Sequence, residues 1–307
     1  MPLKLLKLQT LLYHNEAHSI RKFIECLKVI QVPVGWQLFF HLGDCSVEPL
    51  LDKEQLAQIE AELSVSDVSF KYTFFNENLG FGKGHNRLFQ ELPDCEAVII
   101  LNPDTVFPYH FFSRLVAMAE THPDYGIIEA RQYPLEHPKA FDYQTYEGAW
   151  ASMACSLVKY EAFKRCNGFD ENIFLYAEDT DISWRIRALG YKIYYCPNGW
   201  FYHVKRLNQT GLVASKSELF YSPIYSLMLQ AKYGREDLNE NALAWLKRNT
   251  EPINKAILEG YEKALENMTP ATPEERKVAR FEGSGFYAHH RWKYDSFRDK
   301  FGRSDQL

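Results

Sequence analysis

The sequence lacks three features that would assign it to a specialised class of protein. No apolar run approaches the roughly 20 residues that a membrane span needs, and the first residues do not open a signal peptide. The six cysteines are scattered without a C-x-x-C pair, which indicates free thiols in a reducing cytoplasm. A net charge of -5 excludes a general nucleic-acid binder. We therefore expect a cytoplasmic globular protein.

The first half of the chain alternates between apolar strands and amphipathic helices. Strands are predicted at residues 8–13, 36–42, 70–75, 97–101 and 126–130. Helices are predicted at 20–30, 54–63 and 108–121, and in a segment that ends near residue 92. This alternation with short connections predicts an α/β fold with a mostly parallel, doubly wound sheet. At 307 residues and 46% hydrophobic content, the chain suits one large domain with an appendage or two modest domains.

The second half is less regular and becomes helical toward its end. A polar loop covers residues 133–146, and a helix covers 178–189. Two strands, 192–196 and 200–203, are predicted on either side of a turn at 197–199. Helices follow at 219–233, 238–248 and 253–267, then a short one after 273, and a basic, aromatic tail begins at Gly283. We expect one domain at 1–215 and a C-terminal helical region at 216–307.

An acidic turn directly follows the most apolar predicted strand. Asn102, Pro103 and Asp104 come after residues 97–101, and the carboxyl ends of parallel strands are where open α/β sheets bind ligands. Proline fixes the turn. Oxygen ligands of this kind suit Mg²⁺ or Mn²⁺ that is bound mainly through a substrate diphosphate. A plain turn former or helix cap remains the alternative for Asp104.

Three further acids open the predicted helix 178–189. Glu178 and Asp179 are more than a helix cap requires, and a carboxylate there could act as general base on an acceptor hydroxyl. The alternative is stabilisation of the helix dipole. Asp181 can pair with Arg185 four residues later, although Arg185 could also face a diphosphate. His203, which ends a strand, could ligate a divalent metal or be a structural histidine.

A glycine-rich loop at residues 76–86 joins the third strand to a helix. Its glycines fall as G-x-G-x-G, so they match neither the dinucleotide fingerprint nor a P-loop. Backbone amides and Lys83 could approach a phosphate or a nucleoside. A tight strand-to-helix turn is the alternative.

Four motifs occur in a characteristic order. They are Asn78-x-Gly80-Phe81 with Asn86; Leu101-Asn102-Pro103-Asp104; Gly168-Phe169-Asp170-Glu171 with Phe174-x-Tyr176-x-Glu178-Asp179-x-Asp181; and Gly190-Tyr191 through Pro197 to His203. Together they resemble family 2 glycosyltransferases of the GT-A fold, particularly the bacterial rhamnosyltransferase-like branch, from about residue 8 to 225. The resemblance implies that residues 1–215 form a GT-A catalytic domain.

The resemblance also implies an inverting transferase and assigns roles to individual residues. Asp104 matches the metal-binding acid of a D-x-D-like motif, with Asn102 in place of its first Asp. Asp179 matches the catalytic base, His203 completes the metal site, and Trp150 lies where the sugar and acceptor pocket is shaped. The other substrate-binding residues expected from it are Asn78, Gly80, Lys83, Asn86, Glu178 and Arg185.

One position departs from the family pattern. Gly43 stands where an Asp that helps bind the nucleobase is expected, and Asp44 could substitute from the adjacent position. His14, Asn15 and Glu16, after the first strand, are consistent with the family's nucleotide-contacting loop.

The leading hypothesis from the sequence is an Mg²⁺- or Mn²⁺-dependent inverting glycosyltransferase of bacterial surface polysaccharide synthesis. The donor would be a dTDP- or UDP-sugar, with rhamnose favoured, and the acceptor a glycan or a lipid-linked sugar. The alternatives are a catalytically weak nucleotide- or glycan-binding module of an assembly complex and, third, a nucleotidyltransferase. The C-terminal helices could cover the acceptor cleft, form a homodimer, or place residues 291–293 against the inner face of the cell membrane.

Overall fold

The computed structural model describes residues 3–91, 95–133, 141, 142, 144–203 and 215–281. The strands are β1 (Lys4–Leu12), β2 (Trp36–Asp44), β3 (Val68–Phe74), β4 (Ala97–Leu101), β5 (Thr105–Val106), β6 (Tyr125–Tyr133), β7 (Glu147–Gly148), β8 (Cys155–Lys159) and β9 (Lys192–His203). The helices are α1 (Ala17–Lys28), α2 (Lys53–Ser64), α3 (Phe81–Gln90), α4 (Phe111–Thr121), α5 (Tyr160–Arg165), α6 (Glu178–Ala188), α7 (Lys216–Lys232), α8 (Glu240–Arg248), α9 (Pro252–Glu266) and α10 (Pro273–Val278), with a 3₁₀ turn at Glu236–Leu238.

The strands form one nine-stranded mixed sheet in the order β3-β2-β1-β4-β8-β6-β9-β5, with β7 paired to β9. Strands β1 to β4 are parallel, as the alternating pattern predicts. Strand β8 was not predicted, and it runs antiparallel to both β4 and β6. It is only five residues long, too short for periodicity to distinguish it from a loop. The α/β fold is therefore confirmed, with a mixed central sheet.

The predicted hairpin at residues 192–203 is wrong. These residues form the single strand β9, parallel to β6, and the pairing moves from Ala130–Cys196 directly to Arg131–Trp200. Residues 197–199 are therefore an extra loop of β9, in other words a bulge. Pro197 has no backbone N–H to donate to the ladder, which explains why the pairing lapses there.

Apolar residues cover both faces of the sheet, and β4 lies buried near the centre of the strand order. All five side chains of β4 are at most 1% exposed. One core lies against α1, α2 and α4 and contains Phe23, Phe40 and Phe111, while the other contains Phe163 and Ile182. Burying each such side chain contributes roughly 1.5–3 kcal/mol. The carboxyl end of β4, where Asp104 follows, is thus held on a rigid support.

The C-terminal helices pack on the sheet domain through a third apolar cluster. Met228 on α7, Leu246 on α8 and Ile257 on α9 share this cluster with Ile173, which precedes α6. The boundary predicted at residue 215 stays a prediction, and the tail from Gly283, including 291–293, lies outside the described residues, as does most of the predicted loop 133–146. None of the described helices has the length and apolar content needed to cross a membrane.

Candidate active site

Two hydrogen bonds fix the turn after β4 that contains Asp104. The Thr105 hydroxyl donates to the Asn102 carbonyl at 2.8 Å and closes the turn around Asp104. The Asn102 amide donates to the carbonyl of Ala154 at 2.9 Å, just before β8. The position of the Asp104 backbone is therefore fixed by β4, β5 and the segment before β8 together.

His203 reaches Asp104 across 99 residues of sequence. Strands β5 and β9 pair so that Thr105 lies opposite His203, and Asp104 Oδ1 lies 3.0 Å from His203 Nε2. The imidazole is 8% exposed. Its Nδ1 lies 3.4 Å from Oε1 of the buried Gln132. Because a carboxylate oxygen only accepts, the 3.0 Å contact has the Nε2–H of His203 donating to Asp104. A cation bound by both residues would replace that hydrogen, and Gln132 could then accept from Nδ1–H.

This pair fits a divalent cation that is also bound by a substrate. A carboxylate oxygen and an imidazole nitrogen suit Mn²⁺, and a carboxylate suits Mg²⁺. Within the described ranges no group of three or more His, Cys, Asp or Glu side chains could hold a metal by itself. A cation held by Asp104 and His203 would thus take its other ligands from water and a substrate diphosphate.

The helix that carries the other acids begins with two residues of left-handed backbone. Tyr176 has φ 69° and Ala177 φ 70°, a conformation that costs roughly 1–3 kcal/mol for each residue other than glycine. The reversal places Glu178 and Asp179 in the first turn of α6. Asp179 Oδ1 accepts from the Thr180 amide at 2.7 Å. Strained backbone of this kind, directly before a pair of acids, is typical of functional sites.

Glu178 is held in an apolar setting. It is 6% exposed, and its Oε2 is buried without a hydrogen-bond partner among the described residues. Burial, and to a smaller extent the charge of Asp179, raises the pKa of Glu178 well above its ordinary value. The two adjacent acids are thus differentiated, because Asp179 is partly exposed whereas Glu178 favours its neutral form.

One short segment connects the acidic turn to α6. The Ala151 amide donates to Ser183 Oγ at 3.1 Å, and Ser183 Oγ donates to the carbonyl of Asp179 at 2.6 Å. The same segment supplies the Ala154 carbonyl that binds Asn102. Residues 151–154 therefore contact both acidic elements. Trp150, immediately before them, is 3% exposed and lies in the core.

The glycine-rich loop contacts the residues that lead into α6. Gly80 has φ 71°, and a Cβ there would lie 2.3 Å from the carbonyl oxygen of Phe174. The Phe81 amide donates to the same carbonyl at 3.0 Å. Lys83 pairs with Glu77 at 3.3 Å near the surface. Asn78 Oδ1, in turn, accepts from the Gly80 amide at 3.3 Å. The close approach of the glycine-rich loop to the backbone of Phe174 explains the need for glycine at position 80.

Asn86 connects α3 to the loop before α6 rather than standing free. Its Nδ2 donates to the Phe169 carbonyl at 3.0 Å, and its Oδ1 accepts from the Phe169 amide at 2.9 Å. A second donation from Nδ2 goes to Glu171 at 3.1 Å. Its amide is thus already occupied by the protein. The predicted contact between Asn86 and a substrate would require these bonds to rearrange.

The carboxylate of Asp44 is likewise occupied. It is fully buried and accepts from the Ser46 amide at 2.9 Å, the Leu50 amide at 2.8 Å and the Tyr72 hydroxyl at 2.6 Å. Asp44 therefore shapes the loop after β2. Its substitution for the expected nucleobase-binding Asp stays a prediction. At Gly43 a Cβ would lie 2.8 Å from Leu11 and from Phe75, so packing explains the departure from the family pattern.

The loop after β1 remains the polar edge that was predicted. His14 and Glu16 are exposed and Asn15 is half-buried. The Asn15 side chain accepts from the Tyr13 amide at 2.8 Å, and the His14 amide donates to Ser46 Oγ at 3.1 Å. The last bond places this loop beside the loop after β2, at the carboxyl edge of the sheet.

Two solved structures with a similar arrangement of elements are glycosyltransferases. GalNAc-T7, solved with UDP, GalNAc and Mn²⁺, superposes with a TM-score of 0.61 at 13% identity, over 87% of this chain and 57% of its own. The mannosyltransferase PcManGT of Pyrobaculum calidifontis, solved with GDP-Man and Mn²⁺, gives a TM-score of 0.52 at 14% identity, over 99% of this chain and 88% of its own. At these identities the likeness establishes the GT-A fold.

Sequence relatives narrow the assignment. Rhamnosyltransferase WbbL of Escherichia coli K12 is 35% identical over 133 residues, which cover 34% of this chain and 50% of WbbL. The N-acetylglucosaminyl-diphospho-decaprenol L-rhamnosyltransferase of Mycobacterium tuberculosis is 39% identical over 56 residues, 18% of each chain. The chain has the GT-A fold, and over these aligned parts its sequence is similar to rhamnosyltransferases. The aligned part spans half the length of WbbL and less of the mycobacterial relative, and no protein-family profile matches the chain.

Asp181 belongs to a buried ion network and not to the open site. Asp181 is fully buried. Its carboxylate lies 2.7 Å from Arg185 Nε and 2.7 Å from Lys232 Nζ, and it accepts from the Tyr233 hydroxyl at 3.1 Å. Arg185 also donates to the Cys166 carbonyl at 2.8 Å. The pairing of Asp181 with Arg185 is confirmed, whereas a contact of Arg185 with a diphosphate stays a prediction that this network does not favour.

No local pattern in the sequence identifies three residues that support the site. Gln132 behind His203 lies beyond the predicted end of its strand, and Ser183 and Lys232 are inside helices where polar residues are ordinary. Their roles depend on long-range contacts, which periodicity does not record.

Proposed function

We propose that this protein is an inverting, metal-dependent glycosyltransferase that uses a nucleotide-diphospho-sugar donor. A dTDP- or UDP-sugar is the expected donor, with rhamnose favoured, because the matched relatives are named rhamnosyltransferases. A glycan or a lipid-linked sugar is the expected acceptor, in bacterial surface polysaccharide synthesis. Membrane contact and a homodimer remain predictions for separate tests.

The observation that carries this proposal is the contact between Asp104 and His203. Two side chains 99 residues apart lie 3.0 Å from each other at the carboxyl end of β4, where a donor diphosphate is expected in this fold. Through residues 151–154 the same turn is tied to the carbonyl of Asp179. A metal-binding pair and a carboxylate are thus held on one framework.

In the proposed reaction each residue has a separate task. A bound Mn²⁺ or Mg²⁺ would neutralise charge on the departing diphosphate. Asp104 and His203 would hold that ion, and Gln132 would orient the imidazole. Asp179 takes the proton from the acceptor hydroxyl as its oxygen bonds to the anomeric carbon of the donor, from the face opposite the diphosphate. Glu178 is buried beside it, and its raised pKa disfavours a second negative charge next to Asp179.

A transfer assay with the full chain tests the proposal directly. The protein is incubated with Mn²⁺ and dTDP-rhamnose, UDP-glucose, UDP-galactose or UDP-N-acetylglucosamine, together with an N-acetylglucosaminyl-diphospho-lipid acceptor. Product formation is followed by mass spectrometry and the new anomeric configuration by NMR. We expect one donor to support inverted transfer that EDTA abolishes. Retention of configuration, or full activity in EDTA, would overturn the inverting or metal-dependent assignment.

Two substitutions separate the proposed roles. Asp179→Asn is expected to lower kcat by about 100-fold or more, with the KM for the donor unchanged. Asp104→Asn is expected to weaken Mn²⁺ binding in the presence of a nucleoside diphosphate. Asp237→Asn, which alters a surface pair with Arg235, is the matched control. Nucleotide binding without turnover by the unaltered protein on any donor would instead support the binding-module alternative.

A further inference from the structure

A polar cavity separate from the candidate active site lies between the sheet domain and the C-terminal helices. Its volume is about 560 Å³, within the range of about 300–1,000 Å³ typical of small-molecule sites. Its lining includes three residues of α3, one of α6, one of α7 and four from the segment around the start of α10: Asn86, Phe89, Gln90, Arg185, Lys232, Thr269, Pro270, Thr272 and Glu275. The candidate active site uses the first turns of α3 and α6, whereas this cavity uses their later turns.

The lining of the cavity combines aromatic surface with balanced charge. Phe89, Phe163 and Phe169 contribute apolar rings. The charged lining residues are three cations and three carboxylates: Lys164, Arg185, Lys232, Asp170, Glu171 and Glu275. This balance favours neither a phosphate nor a polycation. A ligand that offers many donors and acceptors but no net charge, and that has apolar ring faces, matches such a lining. A saccharide is the chemical class with those properties.

The polar wall of the cavity is fixed before any ligand binds. The Lys232 side chain is 4% exposed, and its Nζ lies 2.6 Å from Asp170 Oδ2 and 2.7 Å from Asp181 Oδ1. The other Asp170 oxygen accepts from the amide and the side chain of Asn172, both at 3.0 Å. Glu171 is held by Asn86 at 3.1 Å. Side chains fixed in this way lose little conformational entropy on binding.

We propose that this cavity binds a saccharide unit of the acceptor glycan, remote from the hydroxyl that receives the new sugar. The inference rests on the proposed function, which supplies the glycan. Arg185 follows Asp179 by six positions on α6, which corresponds to about 9 Å along the helix axis and about 120° around it. The axial distance is comparable with the length of a disaccharide, so one glycan would reach the cavity from the proposed base by following the surface around α6.

Cavity-filling substitutions test the site without altering the proposed catalytic residues. Thr269 and Gln90 line the cavity and are exposed at its rim, so Thr269→Trp or Gln90→Trp would occupy its volume. Thr250→Trp, at an exposed threonine between α8 and α9, is the matched control. Thermal unfolding identifies any variant that fails to fold. The second filling variant then replaces the first.

Binding is measured on the full chain by saturation-transfer difference NMR. The probes are L-rhamnose, N-acetylglucosamine and a rhamnosyl-N-acetylglucosamine disaccharide, each with UDP and Mn²⁺ present. We expect a saturation-transfer signal from the bound disaccharide. The filling variants should weaken the affinity for the disaccharide at least about tenfold, and Thr250→Trp should leave it unchanged. In the transfer assay, the filling variants should raise KM for an oligosaccharide acceptor and leave KM for a single-sugar acceptor unchanged.

The possible outcomes separate this inference from the proposed function. Absence of saccharide binding, or equal binding by the filled and unaltered proteins, would overturn the cavity assignment even if sugar transfer is observed. Saccharide binding that the filling variants abolish, in a protein that transfers no sugar, would support the cavity as a glycan site and overturn the transferase function.

Discussion

Lys232→Met should cause a large loss of stability, because it removes the cation shared by Asp170 and Asp181. Lys232 Nζ contacts Asp170 at 2.6 Å and Asp181 at 2.7 Å, and the Asp181 side chain is fully buried. Removing one partner of a buried ion pair typically costs about 3–5 kcal/mol when the remaining charge is left unpaired. Because Arg185 still pairs with Asp181 at 2.7 Å, we expect a loss at the lower end of that range. With a Tm change of roughly 2–4 °C per kcal/mol for large domains, Tm should fall by about 6 °C or more.

The loss is measured by urea unfolding and calorimetry at pH 7. Lys255→Met is the matched control, since this lysine is 78% exposed and lies 3.9 Å from Glu259. The control should leave the free energy of unfolding unchanged within the error of measurement. A loss below about 1 kcal/mol for Lys232→Met would refute the view that Asp181 depends on this cation.

The pH dependence gives the same reasoning a second test. Burial raises the pKa of Asp181, but the charges of Arg185 and Lys232 more than offset this and hold the pKa below its ordinary value. A carboxyl with a lowered pKa in the folded state stabilises the protein above its ordinary pKa of 3.8, and this contribution is lost as pH falls. In Lys232→Met the acid-induced loss should begin at higher pH than in the unaltered protein.

Three further predictions concern residues around the site. Glu178→Gln should stabilise the protein at pH 8 by about 1 kcal/mol or more and have little effect near pH 4, as seen by urea unfolding, because a buried carboxyl with a raised pKa loses stability as pH rises above its ordinary value of 4.5. A gain that does not depend on pH would contradict this. Gln132→Leu should weaken Mn²⁺ affinity about tenfold in calorimetry with UDP. Gln230→Leu is the control, at a similarly buried glutamine on α7, and it should leave the Mn²⁺ affinity unchanged. Equal Mn²⁺ affinities of Gln132→Leu and the unaltered protein would show that Gln132 does not orient the imidazole. Gly80→Ala should destabilise more than Gly190→Ala in thermal unfolding, because both have positive φ but only Gly80 has a backbone oxygen 2.3 Å from the added Cβ. Equal losses would leave backbone strain as the whole cause.

The parts of the fold that could be predicted are those that local pattern determines. The apolar run 97–101 is the buried central strand β4, and Gly190 ends the helix that begins at Glu178, with φ 91°. The resemblance to rhamnosyltransferase-like glycosyltransferases is confirmed by the relatives and the fold. Both depend on residues close in sequence or on an ordered set of motifs.

The features that local pattern could not predict depend on partners distant in sequence. The bulge at 197–199 resembles a hairpin turn until β6 is known to pair with both sides of it. Asp44 resembles a free carboxylate until Tyr72 and Leu50 are seen to occupy it. Lys232 is one lysine among many until α7 places it between two acids. Sequence periodicity contains no information on such pairings.

The segment of residues 151–154 has a consequence for the range of acceptors. It binds the Asp104 turn through Ala154 and the first turns of α6 through Ala151, so the two acidic elements cannot separate without breaking one of these attachments. In the proposed reaction, the framework therefore keeps a constant distance between Asp104, near the departing diphosphate, and Asp179, which removes the proton. Evolution could change which glycan is accepted by altering the surrounding walls, while every such enzyme would keep the same reach between its two acids.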